Sequence, residues 1–269
     1  MGRQENVEIF DNTMALCGTD DDLKRNISKT AEKQLLILED NVIPNFKPSY
    51  KENADVIVSD KRTFQAAESY AYAGKKVCVL NFASATNPGG GVLNGAGAQE
   101  ECLCRCSTLY FALTKRLLYT DFYIPHRNAQ NPLHNNDIIY SPDVTVFKSD
   151  TEKPELLGKK DWFNVNVISC AAPNLRFLPE GTIGDEEIYT LQLERFSRIL
   201  SVAASQKNEV VILGAFGCGA FRNNPIVVAE AAKNSVREFL RFFETIEFAI
   251  FCRDDKTNFT TFKNALKDL

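Results

Sequence analysis

Two glycine-rich runs and one adjacent pair of carboxylates are the residues whose types and spacing could do chemistry here. The first run is Asn87-Pro88-Gly89-Gly90-Gly91, followed after seven residues by Gln99-Glu100-Glu101. The second is Gly214-Ala215-Phe216-Gly217-Cys218-Gly219-Ala220-Phe221, followed by Arg222-Asn223-Asn224-Pro225. Glycines permit positive φ and let a ligand approach the backbone closely. A loop that opens a helix also aims N–H groups and the positive end of the helix dipole at an anion. Both runs are therefore candidate cradles for a phosphate or diphosphate. Neither G-x-x-x-x-G-K-[ST] nor G-x-G-x-x-G occurs in the chain, which argues against kinase-like, ATPase and dinucleotide redox chemistry. The glutamate pair has two readings. Acids favour a first helical turn because they complement the dipole, and a buried carboxyl there is also a candidate general acid–base.

Each run needs a strand before it and a helix after it. Short apolar segments predict strands at Ala54–Val58, Lys76–Phe82, Asn164–Ala171, Glu209–Leu213 and Ile246–Phe251, in a sheet covered on both faces. Steps of three and four predict helices over Thr63–Ala73, Gln99–Leu118, Asp185–Gln206, Ile226–Phe243 and Thr257–Leu266. Gly74 closes the first of these and Pro225 sits in the first turn of the fourth. Asp137–Tyr140 and Val144–Phe147, split by Ser141-Pro142-Asp143, predict an added hairpin. The alternation predicts a three-layer α/β/α sandwich with a mixed central sheet. Ligands of such sheets bind beyond the strands' carboxyl ends, where both glycine runs fall. Residues 1–50 differ: a helix over Glu5–Cys17, the acidic patch Asp20-Asp21-Asp22, the apolar run Gln34–Leu38, then Pro44 and Pro48. They are expected to form an accessory helical layer packed on a catalytic core spanning 51–269.

Composition bounds the function further. With 31 basic and 35 acidic residues, the net charge of −4 argues against bulk nucleic-acid binding. No apolar stretch reaches the ~18 residues of a membrane span. The start MGRQENVEIF has no apolar signal region and no Ser or Thr at position 6, so neither secretion nor myristoylation is expected. The eight cysteines then read as reduced thiols in a cytoplasmic chain, or a nuclear one in a eukaryote. Cys102, Cys104 and Cys106 lack metal-ligand spacing and are expected in the core, while His126 and His134 lie in a polar stretch, 125–136, that reads as a mobile flap. No metal and no cofactor is expected.

The triple glycine and the tandem glutamate at this spacing, with Asn81-Phe82-Ala83-Ser84-Ala85, Asn87-Pro88 and GAFGCGAFRNNP, resemble the bacterial-type (microbial) poly(ADP-ribose) glycohydrolases of the macrodomain superfamily. The resemblance spans most of the chain from about residue 50 onward, and the N-terminal helical region fits the same branch. It implies a macrodomain fold and hydrolysis of the ribose–ribose O-glycosidic bond, releasing ADP-ribose from chain ends. It implies Glu101 as the catalytic acid and Glu100 as a ligand of ribose hydroxyls. Asn87, Gly89, Gly90 and Gly91 would wrap the distal ribose, with Gln99 among the substrate contacts. Gly214, Phe216, Gly217, Cys218, Gly219 and Ala220 would hold the diphosphate, and Phe221 would pack on the sugar. The partners implied are poly(ADP-ribose) or ADP-ribosylated protein, with ADP-ribose as product ligand. The same pocket also suits a mono-ADP-ribosyl hydrolase or a non-catalytic ADP-ribose reader, although a reader need not keep the glutamate pair.

Successive residues of a helix point about 100° apart, so Glu100 and Glu101 are expected to have different jobs. A helix N-terminus favours the carboxylate anion, whereas a general acid needs its proton. A bound diphosphate raises a neighbouring carboxyl pKa by about 1–3 units. Glu101 is therefore expected to become a competent acid mainly in the complex. The diphosphate would also supply the negative charge that a second carboxylate gives ordinary glycosidases.

Overall fold

The computed structural model describes residues 2–179 and 181–269. In chain order the elements are α1 (Arg3–Thr19), α2 (Asp21–Lys33), β1 (Leu35–Ile37), β2 (Asp55–Ser59), α3 (Thr63–Tyr72), β3 (Val77–Phe82) and α4 (Gln99–Cys106). Then come α5 (Leu109–Leu113), α6 (Arg116–Leu118), α7 (Ile124–Ala129), β4 (Ile138–Val146) and β5 (Phe163–Cys170). The chain ends with α8 (Asp185–Ser205), β6 (Val210–Leu213), α9 (Pro225–Phe239), β7 (Thr245–Ala249) and α10 (Thr257–Leu266).

The strands form one seven-stranded sheet in the order β1-β4-β5-β3-β6-β7-β2. β5, β3, β6, β7 and β2 run parallel, and β1 and β4 add antiparallel at one edge. β3 and β6 are apolar and buried along almost their whole length, as central strands covered on both faces must be. One face carries Phe196, Leu200, Val228, Phe248 and Phe262, under α8, α9 and α10. The other carries Phe64, Leu103, Leu113 and Phe122, under α3 to α6 and the turn before α7. The three-layer sandwich with a mixed sheet is what the sequence predicts. The two glycine runs leave β3 and β6, which are hydrogen-bonded neighbours at the middle of the sheet. That adjacency sets both runs beyond the same end of the sheet, where a cavity is lined by the second run and by Gly97–Gln99 but by none of residues 87–91 and by neither glutamate.

Several elements depart from the sequence expectation. The helix expected over Gln99–Leu118 is three helices. Ser107 bridges to Val146, and the Cys106 carbonyl accepts from the N–H groups of Phe147 and Lys148, so sheet pairing takes over where helical bonding would continue. The expected hairpin at 137–147 is instead the single strand β4, whose register shifts between Ser141 and Val144. Pro142 and Asp143, the latter at φ +53°, form a bulge there and not a turn. α9 stops at Phe239, short of Phe243, because the carbonyls of Leu240 and Arg241 accept from Ala54, Ser49 and Tyr50. The polar stretch 125–136 is clamped, not a loose flap. Buried Arg195 donates to the carbonyls of Leu133 (2.5 Å) and Ala171 (2.7 Å) and to Asn136 Oδ1 (3.1 Å). Buried His126 lies 2.8 Å from both the Phe122 carbonyl and Asn135 Oδ1.

The N-terminal layer holds more than one helix. Asp20 caps α2 by accepting from the N–H groups of Asp22 and Leu23, so the acidic patch is a helix start. The apolar run after it is the edge strand β1. α1 lies against the first glycine run. Asn6 Nδ2 donates to the Gly95 carbonyl (2.9 Å), and Thr13 Oγ1 to the Arg105 carbonyl at the end of α4 (2.6 Å). Gly95 has φ +69°, and a Cβ there would overlap the Arg3 carbonyl. Gly95→Ala should therefore lose stability beyond the ~1–2 kcal/mol of a left-handed non-glycine residue. Gly74→Ala supplies the control, because Gly74 has φ +77° with nothing near its missing Cβ. Equal losses in urea unfolding would show that α1 does not grip the loop.

Candidate active site

α4 carries Gln99, Glu100 and Glu101 in its first turn, directly beyond the end of β3. Gln99 ties the helix to that strand: its Oε1 accepts from the Phe82 N–H (2.9 Å), and its Nε2 donates to the Leu80 carbonyl (2.7 Å) and Thr63 Oγ1 (3.0 Å). The side chain lines the cavity described below, but its amide is saturated by protein, so its observed work is positioning α4.

Both glutamates are buried, Glu100 at 3% and Glu101 at 7% exposure. Glu100 Oε2 accepts from the Ser84 N–H (2.8 Å), and Oε1 from Asn81 Nδ2 (3.3 Å). Burial pushes its pKa up from 4.5 to about 8, helped by the nearby charge of Glu101 and opposed by the hydrogen bonds it accepts. Glu101 is held differently. Its Oε1 accepts from the Gly91 N–H (2.8 Å), while its Oε2 is buried without a hydrogen-bond partner. One carboxyl is thus anchored at both oxygens and the other at only one.

The triple glycine makes this seat. Gly90 has φ +59°, and a Cβ there would overlap Glu101 Oε1 and stand 3.0 Å from Glu100 Oε2. Gly89 has φ +69°, and its Cβ would meet the Tyr110 ring at 2.7 Å. Gly90 and Gly91 therefore lie against the carboxyls, while Gly89 lies against Tyr110. Asn87 is exposed at the loop's outer turn, where its Oδ1 accepts from Arg127 Nη2 (3.3 Å). Arg127 Nε also donates to the Thr86 carbonyl (2.6 Å).

The second run forms one wall of a cavity of about 380 Å³, to which Gly217, Gly219, Ala220 and Phe221 contribute with Gln99, Phe82 and Leu103. Among the described residues, the N–H groups of Gly217, Gly219, Ala220 and Phe221 donate to no backbone or side-chain acceptor, so four amides in five residues are free for an anion. Gly214, Phe216 and Cys218 are not in this wall. The Phe216 ring is fully buried between Phe82 and Phe196, which corrects the expectation that it meets the ligand. Its N–H donates to the Gly214 carbonyl and that of Cys218 to the Ala215 carbonyl, which removes both amides from the cradle. A Cβ at Gly214 would meet the Ala249 carbonyl and the Phe82 ring, each at 2.9 Å. Its smallness serves packing.

Asn223 holds the cradle in shape. Buried at the loop's end, its Nδ2 donates to the carbonyls of Pro173 (2.7 Å) and Gly217 (3.1 Å), and its Oδ1 accepts from Gln192 Nε2 (2.9 Å). Gly217 has φ +79°, and a Cβ there would meet the Asn223 amide at 2.9 Å.

The opposite wall was not expected from the sequence. The Arg62 guanidinium lies 4.2 Å from the Phe251 ring centroid, and Lys61, Asp150 and Asn258 stand nearby in the lining. Asp150 Oδ2 accepts from the Phe64 N–H (3.0 Å), its Oδ1 is buried without a partner, and burial raises its pKa. Cys102 lies on the cavity wall, whereas Cys104 and Cys106 are core residues. All eight cysteines are free. Among the described residues no helix is long and apolar enough to cross a membrane.

Comparison with known proteins agrees with this geometry. The family model described as the microbial-type PARG catalytic domain matches residues 4–149, from α1 through the glutamate pair to the end of β4. The chain belongs to this family. Poly(ADP-ribose) glycohydrolase from Thermomonospora curvata superimposes with a TM-score of 0.88 at 28% identity, over 97% of this chain and 99% of that one. The same enzyme bound to the inhibitor ADP-HPD gives 0.81 at 28% identity, over 97% and 99%. The Deinococcus radiodurans enzyme in complex with ADP-ribose gives 0.78 at 32% identity, over 90% and 98%. These overlays extend the likeness past residue 149 to the second glycine run. Comparison with curated proteins gives no match. The fold is that of the PARG macrodomain.

The buried Glu100 of this PARG-family site makes a pH-dependent contribution to stability. The folded chain keeps a proton that the unfolded chain releases, so between pH 4.5 and about 8 this contribution falls as pH rises. Glu100→Gln removes the titration. The unfolding free energy of the variant minus that of the wild type should therefore grow across that window. A flat difference would show that Glu100 ionises normally in the fold.

Proposed function

We propose that this chain is a poly(ADP-ribose) glycohydrolase that cleaves the ribose–ribose O-glycosidic bond with Glu101 as acid and then base, releasing ADP-ribose from chain ends. The observation that carries the assignment of roles is the asymmetry of the pair. Glu101 keeps one buried oxygen unpartnered, while Glu100 has both oxygens engaged. The solved structures similar to this chain include poly(ADP-ribose) glycohydrolases in complex with ADP-ribose and with ADP-HPD.

In this reading the diphosphate of the terminal unit sits on the free N–H groups of Gly217, Gly219, Ala220 and Phe221, and Phe221 packs on the distal ribose. Neutral amides bind it without a counter-charge that would also neutralise it. The distal ribose then lies between Phe221 and the 87–91 loop, with Glu100 accepting from its hydroxyls once some of the protein bonds rearrange. Glu101 Oε2–H gives its proton to the leaving ribose oxygen as the C–O bond breaks, and the anomeric carbon acquires oxocarbenium character. Water then attacks that carbon and returns a proton to Oε2, so the carboxyl ends as it began. The diphosphate stabilises the developing cation and, by like charge, favours the protonated form of Glu101.

Two measurements test this. Glu101→Gln keeps the Gly91 bond through its amide oxygen. It should bind ADP-ribose within a few-fold of wild type while turnover of poly(ADP-ribose) falls by about 10²–10⁴. Appreciable residual hydrolysis would remove Glu101 from the acid role, and release of oligomers instead of ADP-ribose alone would overturn chain-end cleavage. Asn223→Ala unseats the phosphate cradle without touching either glutamate. It should lower kcat as well as raise KM, each roughly tenfold or more. A change in KM alone would show that the diphosphate only binds.

A further inference from the structure

The catalytic end of the site is bordered by four segments, 84–94, 124–136, 171–179 and 214–224, that hydrogen bonds join into a continuous rim. Arg127 reaches the carbonyl of Thr86 and the Asn87 side chain. The Asn174 N–H donates to the Pro132 carbonyl (2.8 Å), and the Leu175 N–H to the Phe221 carbonyl (3.0 Å). The whole chain is acidic, with 35 Asp and Glu against 31 Lys and Arg. These four segments contain no Asp or Glu and three arginines, Arg127, Arg176 and Arg222, all exposed. Of the acids adjoining them in sequence or by hydrogen bond, Glu180 lies outside the described residues, and Glu39, Asp137 and Asp185 are engaged by asparagines of the rim or beside it. Glu39 accepts from Asn136, Asp137 from Asn135, and Asp185 from Asn224. Phe177, 76% exposed, stands on the rim with the Arg176 guanidinium 5.2 Å from its ring centroid.

An exposed ring beside a guanidinium, on segments that carry arginine and no acid of their own, has the chemistry to stack a base and pair with phosphate. We propose that this rim binds the next ADP-ribose unit of the polymer, on the leaving-group side of the scissile bond, with Phe177 and Arg176 as its anchor. The inference rests on the glycohydrolase reading above. The terminal unit occupies the cavity from Phe221 toward Arg62 and Phe251, so the chain that continues from the leaving oxygen exits past the other side of Phe221. There it meets Arg176, Phe177 and Arg222. The rim therefore distinguishes a polymer, which brings a second nucleoside diphosphate, from a single ADP-ribose on protein, which does not.

The test compares the wild type with Arg176→Gln/Phe177→Ala on two substrates that share the terminal unit: poly(ADP-ribose), and ADP-ribose carrying an aryl leaving group at the same anomeric carbon. Loss of one stacked base and one phosphate contact should raise KM for the polymer about tenfold or more. It should also make that KM less sensitive to salt, and leave the kinetics on the aryl substrate unchanged. Equal rises in KM on both substrates would show a structural effect on the cavity and overturn the proposal, as would an unchanged KM for the polymer. Failure of the rim alone leaves wild-type polymer hydrolysis intact. A wild type that turns over the aryl substrate but not the polymer would overturn the glycohydrolase reading together with the rim.

Discussion

The site depends on a carboxyl seated against backbone that has no side chain. Glu101 Oε1 takes the Gly91 N–H and occupies the space where a Cβ on Gly90 would stand. Everything around that contact braces it. Gln99 fixes the first turn of α4 to the end of β3. Gly89 lies against Tyr110, which meets Phe10 of α1 edge-on at 5.0 Å. The far end of the loop rests on the first turn of α1 through Gly95 and Asn6. The N-terminal layer is thus the outer support of the glycine loop.

Placing two carboxyls side by side in a buried turn raises a question of charge. Desolvation opposes ionisation of either, and each ionised group opposes the other. The fold resolves this at Glu100, whose pKa of about 8 keeps it protonated near neutrality. Asn81 Oδ1, buried and without a partner, belongs to the same amide that contacts Glu100 and offers an acceptor for that proton when the amide turns over. A pair carrying one negative charge costs far less to bury than a pair carrying two. At Glu100 burial outweighs the helix dipole, which by itself favours the anion.

Local signals in the sequence were enough for the parallel strands, the helix starts and both glycine runs, because each is written in a few adjacent residues. They failed where a distant partner decides the outcome. Nothing near Ser107 shows that Val146 will pair with it and end α4. Pro142-Asp143 reads as a turn until β5 is seen to continue alongside it. Phe216 and Phe221 look equivalent in the chain, yet the first turns into the core between Phe82 and Phe196 while the second faces the cavity. The Arg62–Phe251 wall is built from the residues just past β2 and β7. It was legible only through a topology that makes those strands neighbours. Asp150 carries no local signal at all.

The acidic character of the chain is compatible with a polyanionic ligand because attraction is divided between two devices. The free amides of the second run act at contact range and carry no net charge, so they add nothing to the long-range field. Acting alone in a protein of net charge −4, they would face repulsion at every distance beyond a few ångströms. In the proposed reading the guanidinium rim of Arg127, Arg176 and Arg222 acts over about a Debye length, near 8–10 Å at physiological salt. That range is enough to draw in the end of a chain. It is too short to make the whole surface a general binder of nucleic acid. Within the cavity the cradle itself offers only amides, from Gly217, Gly219, Ala220 and Phe221, while the cations of the lining, Lys61 and Arg62, stand in the wall with Phe251. In the proposed mechanism a diphosphate on those amides keeps its negative charge, which an oxocarbenium-like transition state beside it requires.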